Sequence, residues 1–220
     1  SIREVFRAIP VLAATDVDLS ELAEGQFAHG EVGGVRAPVV RAGTAGEDGF
    51  ECLLPRQPAA VRAWEALLAA GGAFGLAPAG LDAFETLRLE AAVLRYGRDL
   101  DETTTMLEAG LEHWVGWHKP EFVGKAALED ERIHGPRRRL AGFEVAGPGV
   151  VRRGDRVLAA GALVGRVTSS GAAPWVGRSI GLAYLSANTA VLGTAIDIVS
   201  EDRRERARVV PLPFYTRPKG

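Results

Sequence analysis

Two charged side chains stand where the surrounding pattern asks for apolar ones. Glu51 is the second residue of the run FECLL, which follows a glycine-rich loop, RAGTAGEDG at 41–49, and Arg88 lies at the edge of an apolar helical stripe in TLRLEA. One reading places both on the surface, or pairs them with each other, because half-buried charges in folded proteins are usually paired. The other reading is chemical. An ionised carboxylate offers two acceptor oxygens side by side and no donor, so it matches a ligand face with two adjacent N–H donors. Aminopyrimidine rings, pterins among them, present that face. The preceding loop sets Gly43, Gly46 and Gly49 around Glu47 and Asp48, which suits a turn with positive φ or a close backbone approach. Glu47 and Asp48 are expected to stay solvated or to cap that turn.

Other chemistries find little support. No P-loop is present, no GxGxxG follows a strand, and the glycine spacing of VGRVTSSG lies far from any helix start. His29, His113, His118 and His134 never reach the i, i+4 spacing of a zinc-binding helix. Ser169 and Ser170 sit in a turn-like TSSG with no GxSxG frame around a nucleophile. Cys52, the lone cysteine, reads as a small core residue; it excludes an internal disulfide and a multi-cysteine zinc site, and fits a reducing compartment. The 26 Lys and Arg against 28 Asp and Glu give a net charge of −2, which offers no electrostatic case for binding nucleic acid. No apolar run has the length of a membrane span and the N-terminus shows no signal-peptide pattern, so the cytoplasm is the expected compartment.

The elements that must position Glu51 and Arg88 follow from periodicity. At 220 residues and 47% hydrophobic, the chain is long enough for one large domain or two small ones. Residues 1–22 read as one or two short helices, with capping-box spacing at Ser1 and Glu4, a stop at Pro10, and Asp16 and Asp18 able to cap another turn. Residues 26–54 read as β structure, with a Gly33-Gly34 turn. A helix follows Pro58, with Val61, Trp64, Leu67 and Leu68 on one face and an end at Gly71-Gly72. A second helix over 80–91 places Leu81, Phe84, Leu87 and Ala91 on its stripe. The segment 95–111 has no period and reads as an ordered loop; HWVGW reads as a short strand and 124–134 as a helix closed by Gly135-Pro136. From 138 to 217 short apolar runs alternate with glycine turns, the pattern of a small antiparallel barrel or sandwich. A domain boundary is therefore expected near 136–139, separating a region 1–136 from a region 137–220.

Taken together, TDVDLSEL, GEDGFE, WEALLAAGGAFGLAPAGLDAFETLRLEA, YGRDLDETTTMLEAGL, FVGKAAL, VGRVTSSG and the ending LPFYTR resemble the glycine cleavage system T-protein (aminomethyltransferase) family in order, spacing and register, over essentially the whole chain. The resemblance implies an α+β protein, with a mixed α/β folate-binding segment followed by a small antiparallel C-terminal β-barrel. It implies tetrahydrofolate as the bound pterin, met by Glu51, by Arg88 and, from the C-terminal segment, by Arg217 and Tyr215. The implied reaction moves a one-carbon unit from an aminomethyl donor to tetrahydrofolate, with a lipoylated carrier protein as donor partner. Family members carry a long stretch ahead of the part matched here, including the aspartate on which aminomethyl transfer depends. The expectation is thus a fragment or one half of a split enzyme, without that catalytic aspartate, associating with a second chain or with itself. Thr44, Met106 and His113 depart from the aromatic, the proline and the tryptophan common at those positions. The alternatives are a folate-dependent demethylase of another substrate, or a non-catalytic folate-binding scaffold subunit.

Overall fold

The computed structural model describes residues 19, 21–56 and 58–216. They belong to two compact units that divide between Phe84 and Glu85. Of the helices expected over residues 1–22, residues 1–18 and 20 lie outside the described residues, as does Arg217, while residues 19, 21 and 22 are not helical. Among the described residues no helix is long and apolar enough to cross a membrane.

The first unit is built on a three-stranded antiparallel sheet in the order β1-β2-β3, where β1 is Phe27–Val32, β2 Val35–Arg41 and β3 Phe50–Cys52. Strict alternation sends Ala28, Gly30 and Val32 to one face of β1, and Val35, Ala37 and Val39 to the same face of β2, as a half-buried sheet requires. Leu19, Leu22 and helix α1 (Ala59–Gly71) cover that face.

The helix forms where the sequence predicts it, but it packs through a different face. Val61 and Trp64 remain 41% and 52% exposed while Ala63 is fully buried, with Ala59, Leu67 and Ala70 packed beside it. The cause is the close approach of the β1–β2 turn. Gly33 has φ +59°, and a Cβ there would stand 2.9 Å from the Ala63 Cα and 2.7 Å from the Ala66 Cβ. Only small side chains fit at such a crossing, so the helix turns Ala59, Ala63 and Ala70 inward, with Leu67 beside them, and leaves Val61 and Trp64 outward.

The second unit takes in the C-terminal half of α2 (Leu81–Glu90), the segment 91–124, helix α3 (Lys125–His134) and a closed six-stranded antiparallel barrel. The barrel strands are β4 (Arg138–Val145), β5 (Arg156–Ala159), β6 (Ala162–Ala173), β7 (Arg178–Ser186), β8 (Ala195–Val199) and β9 (Arg204–Val210), in the order β4-β7-β6-β5-β8-β9. Phe143, Val157, Val167, Leu185, Ile198 and Val209 fill the interior. Strand β7 is buried on both sides, because Ile180 and Leu182 face outward against Leu89, Leu94, Leu140 and Phe214. That double burial explains its nearly unbroken apolar run. The mixed segment and the barrel match the α+β expectation.

Two local expectations fail. The stripe Leu81–Phe84–Leu87–Ala91 is not the packed face of α2: Leu81 is 82% exposed, whereas Arg88, Leu89 and Glu90 are buried. HWVGW forms no strand; Glu112–Trp114 is a single 3-10 turn closed by bonds from Trp114 N to Leu111 O and from Val115 N to Glu112 O. Residues 95–111 are an ordered loop, with one isolated bridge between Tyr96 and Leu100.

Candidate functional site

Glu51 lies at the centre of β3, the edge strand of the first unit's sheet, opposite Val40. Its delivery depends on the loop ahead of it. Ala42 N donates to Gly49 O at 3.1 Å and closes the loop base, while Gly46 N donates to Gly43 O at 2.8 Å inside it. Gly46 has φ +82°, and a Cβ on Gly43 would stand 2.8 Å from the Glu47 carbonyl oxygen. Asp48 neither stays free nor caps the turn. Arg41 grips it in a two-pronged pair, Nε to Oδ1 at 3.1 Å and Nη2 to Oδ2 at 2.9 Å, and its Nη1 donates to Leu22 O at 2.8 Å. The planar guanidinium favours this fork, and it fixes both atoms of the carboxylate at once. Glu51 itself is exposed, and among the described residues no hydrogen bond or ion pair closes on its side chain. Its acceptor oxygens are free for a ligand.

Arg88 is the opposite case. It is 2% exposed and all five of its N–H donors are engaged. Nη1 donates to Asp99 Oδ2 at 2.6 Å and to Val93 O at 3.4 Å; Nη2 donates to Ser169 Oγ and to Glu85 Oε2, both at 2.9 Å; Nε donates to Glu85 Oε2 at 3.1 Å. Asp99 is equally buried and accepts further bonds from Ser169 Oγ at 2.5 Å, Thr168 Oγ1 at 2.8 Å and Arg95 N at 3.1 Å. Glu85 gathers Arg95 and Arg98 as well as Arg88. Partial burial pushes the Glu85 carboxyl up, but the hydrogen bond from Arg88 and the charges of Arg88, Arg95 and Arg98 outweigh it and hold the group below its ordinary range. The network ties α2 to the loop at 95–99 and to strand β6.

Tyr215 is half-buried close to the same helix end. Its backbone N–H donates to Glu90 O at 2.9 Å, and its ring stacks on Trp175 with centroids 5.5 Å apart and planes 21° from parallel. Glu90 is buried; its Oε1 accepts the backbone N–H of Trp175 at 2.9 Å, while Oε2 has no partner among the described residues. Arg88 and Tyr215 thus meet the same turn of α2, in the second unit, and Glu51 belongs to the first. Asp99, Glu90 and Trp175 are residues that periodicity did not single out. The single signal for Asp99 was a polar, aperiodic segment long enough to demand internal hydrogen bonding. Burial pushes the Cys52 thiol up, against a role as nucleophile.

These features coincide with a recognisable family. The family profile for the GCVT N-terminal domain matches residues 6–119, and the profile for the glycine cleavage T-protein C-terminal barrel domain matches residues 138–216. Among curated relatives, an aminomethyltransferase of Moorella thermoacetica is 45% identical over 97% of this chain and 58% of its own length. One from Thermosynechococcus vestitus is 43% identical over 93% of this chain and 55% of its own length. The crystal structure of glycine cleavage system aminomethyltransferase T from Bartonella henselae superposes with a TM-score of 0.80 at 29% identity, covering 94% of this chain and 56% of that one. The chain therefore spans little more than half the length of the relatives it matches.

Proposed function

We propose that this chain, which belongs to the glycine cleavage T-protein family, takes part in moving a one-carbon unit from an aminomethyl donor to tetrahydrofolate with release of ammonia. The observation that carries the reading is Glu51: a free carboxylate on an edge strand, delivered by a loop that Arg41 and Asp48 lock in place. Its two acceptor oxygens fit the donor–donor edge of a pterin. Tyr215, stacked on Trp175, and Arg217 are the proposed contacts from the C-terminal segment. Arg88 is proposed as a folate-facing residue whose donors are already committed, so it holds shape and charge in place more than it offers a spare N–H. Residues 1–136 then form the partial folate-binding region and 137–220 the barrel domain.

In this division of labour the residues bind and position. Holding the folate nitrogen and the donor nitrogen together in a water-poor site supplies much of the rate in such a transfer. Charge stabilisation at nitrogen falls to an acid outside the assigned set. A lipoylated carrier protein as donor partner, a second chain or copy, and a cytoplasmic setting complete the proposal.

Calorimetric titration with tetrahydrofolate tests it. Wild type is expected to bind, and Glu51→Ala to lose roughly tenfold to a hundredfold in affinity, as the loss of one or two charge-assisted hydrogen bonds implies, with an unchanged circular-dichroism spectrum. Equal affinity of the two proteins returns Glu51 to the surface and removes the folate reading of this strand.

A further inference from the structure

The outer wall of the barrel carries a second polar site, and it lies wholly within the second unit. Strands β6 and β7 and the loop at 98–104 enclose a pocket of about 260 Å³. Four arginines line it, Arg98, Arg138, Arg153 and Arg166, against two aspartates, Asp99 and Asp101. The aspartates are already satisfied: Asp99 by Arg88 and its hydroxyl donors, Asp101 by the backbone N–H and hydroxyl of Thr103. The arginines are not equivalent. Arg138 is paired with Glu108 and Arg98 with Glu85. Arg153 and Arg166 have no carboxylate partner among the described residues; each spends one N–H on a backbone carbonyl, Arg153 on Gly97 O at 3.1 Å and Arg166 on Gly154 O at 2.9 Å.

Tyr184 lines the same pocket. It is 8% exposed, lies opposite Arg166 in the β6–β7 register, and carries the Arg138 guanidinium 4.8 Å above its ring. Its hydroxyl, although Thr104 stands beside it, meets no partner of normal hydrogen-bond geometry among the described residues, and neither does the buried Nε–H of Arg98. Burial pushes the phenol up to about 12, against the smaller pull of Thr104 and Arg138, so it remains a donor at neutral pH. Unpartnered buried donors are uncommon and costly, and two of them beside two unpaired guanidinium groups share one requirement: an acceptor carrying negative charge.

We propose that this pocket binds a small oxyanion, a phosphate or a carboxylate group, with Arg153 and Arg166 supplying the charge and the Tyr184 hydroxyl a neutral donor. The planar guanidinium forks suit either group. The proposal is independent of the folate reading, because none of these residues is assigned to that site.

Binding of inorganic phosphate and of glutarate to the 220-residue chain, measured separately by calorimetry at low ionic strength, distinguishes the two sources. Phosphate binding alone assigns a phosphate-bearing ligand, glutarate binding alone a carboxylate-bearing one, and binding of both a general oxyanion pocket. The variants Arg166→Gln and Tyr184→Phe each weaken the binding by roughly tenfold, the effect of one charge-assisted hydrogen bond. Nitrogen NMR of the arginine side chains shows the Arg98 Nε–H shifting on titration. No binding of either anion at roughly millimolar concentration, or an affinity that neither variant changes, overturns the proposal.

Discussion

Asp99→Ala should be among the most destabilising single substitutions in the second unit. The side chain is buried and accepts from Arg88, Ser169, Thr168 and the Arg95 backbone N–H. Truncation takes the fully buried carboxylate from a guanidinium that is itself 2% exposed and leaves it only the more exposed Glu85. Removing one partner of a buried ion pair costs about 3–5 kcal/mol, because the remaining charge keeps its desolvation penalty and loses its compensation. Glu85 sets the comparison. It is also a partner of Arg88, but its side chain is 22% exposed, so water can replace it, and Glu85→Ala should cost less than about 2 kcal/mol. The decisive variant is the double one. Arg88→Met with Asp99→Asn removes both charges at similar volume and keeps an acceptor for Ser169, Thr168 and the Arg95 N–H, and volume-conserving removal of a buried pair is often neutral or stabilising. It should recover most of what Asp99→Ala loses.

Urea unfolding followed by circular dichroism gives the three numbers, with the midpoint and slope reported together so that a change in the unfolded state is visible. An Asp99→Ala cost within about 1 kcal/mol of wild type, the range of an ordinary substitution, refutes the reasoning. So does a double variant no more stable than the single one, since the penalty would then lie in packing and not in the stranded charge.

Two further outcomes follow from the same physics. Glu85 has its carboxyl held below the ordinary 4.5 in the folded state, so its contribution is present above that value and is lost as pH falls through the depressed folded one. Urea midpoints taken at about pH 6 and about pH 3 should therefore fall less for Glu85→Gln than for wild type; parallel losses would show that the three arginines do not act through this carboxylate. In the first unit, Gly33→Ala should destabilise by about 2–4 kcal/mol, from the positive φ and the collision with the Ala63 backbone. Gly34→Ala, at φ +74° but with nothing within 4 Å of its Cβ, should cost only about 1–2 kcal/mol; equal losses by thermal unfolding would remove the close approach as the cause.

How far the chain could be read in advance depended on whether the deciding contacts were local. The barrel strands and the hairpin of β1 and β2 were legible, because alternation and glycine turns are encoded within a few residues. Helix faces were not. Val61 and Trp64 mark an apolar stripe by spacing, but the helix buries Ala63 instead, because the constraint comes from the backbone at Gly33, thirty residues away. The stripe through Leu81 and Leu87 failed for a related reason. Arg88 and Glu90 are buried on α2 through partners at Ser169 and Trp175, 81 and 85 residues distant, and no window of periodicity reaches that far. HWVGW had strand-forming residues but no neighbouring strand, so its local bonds closed a 3-10 turn.

A charge in an apolar setting is therefore two different signals until its hydrogen bonds are counted. Glu51 and Arg88 looked alike in sequence, each a charge where a hydrophobic residue was expected. The structure separates them by what each has left to give. Arg88 has spent every donor on Asp99, Glu85, Ser169 and Val93, and its charge is balanced in place; it can shape a wall and set a local field. Glu51 has spent none of its side-chain acceptors among the described residues, although the loop that presents it is clamped through Arg41 and Asp48. Rigid delivery of an uncommitted carboxylate favours a ligand, because the ordering cost of the loop is met before anything binds. The same count divides the arginines on the barrel wall: Arg98 and Arg138 are ion-paired, whereas Arg153 and Arg166 hold only backbone carbonyls. Residual hydrogen-bonding capacity, more than charge or exposure alone, marks where this fold can accept a partner.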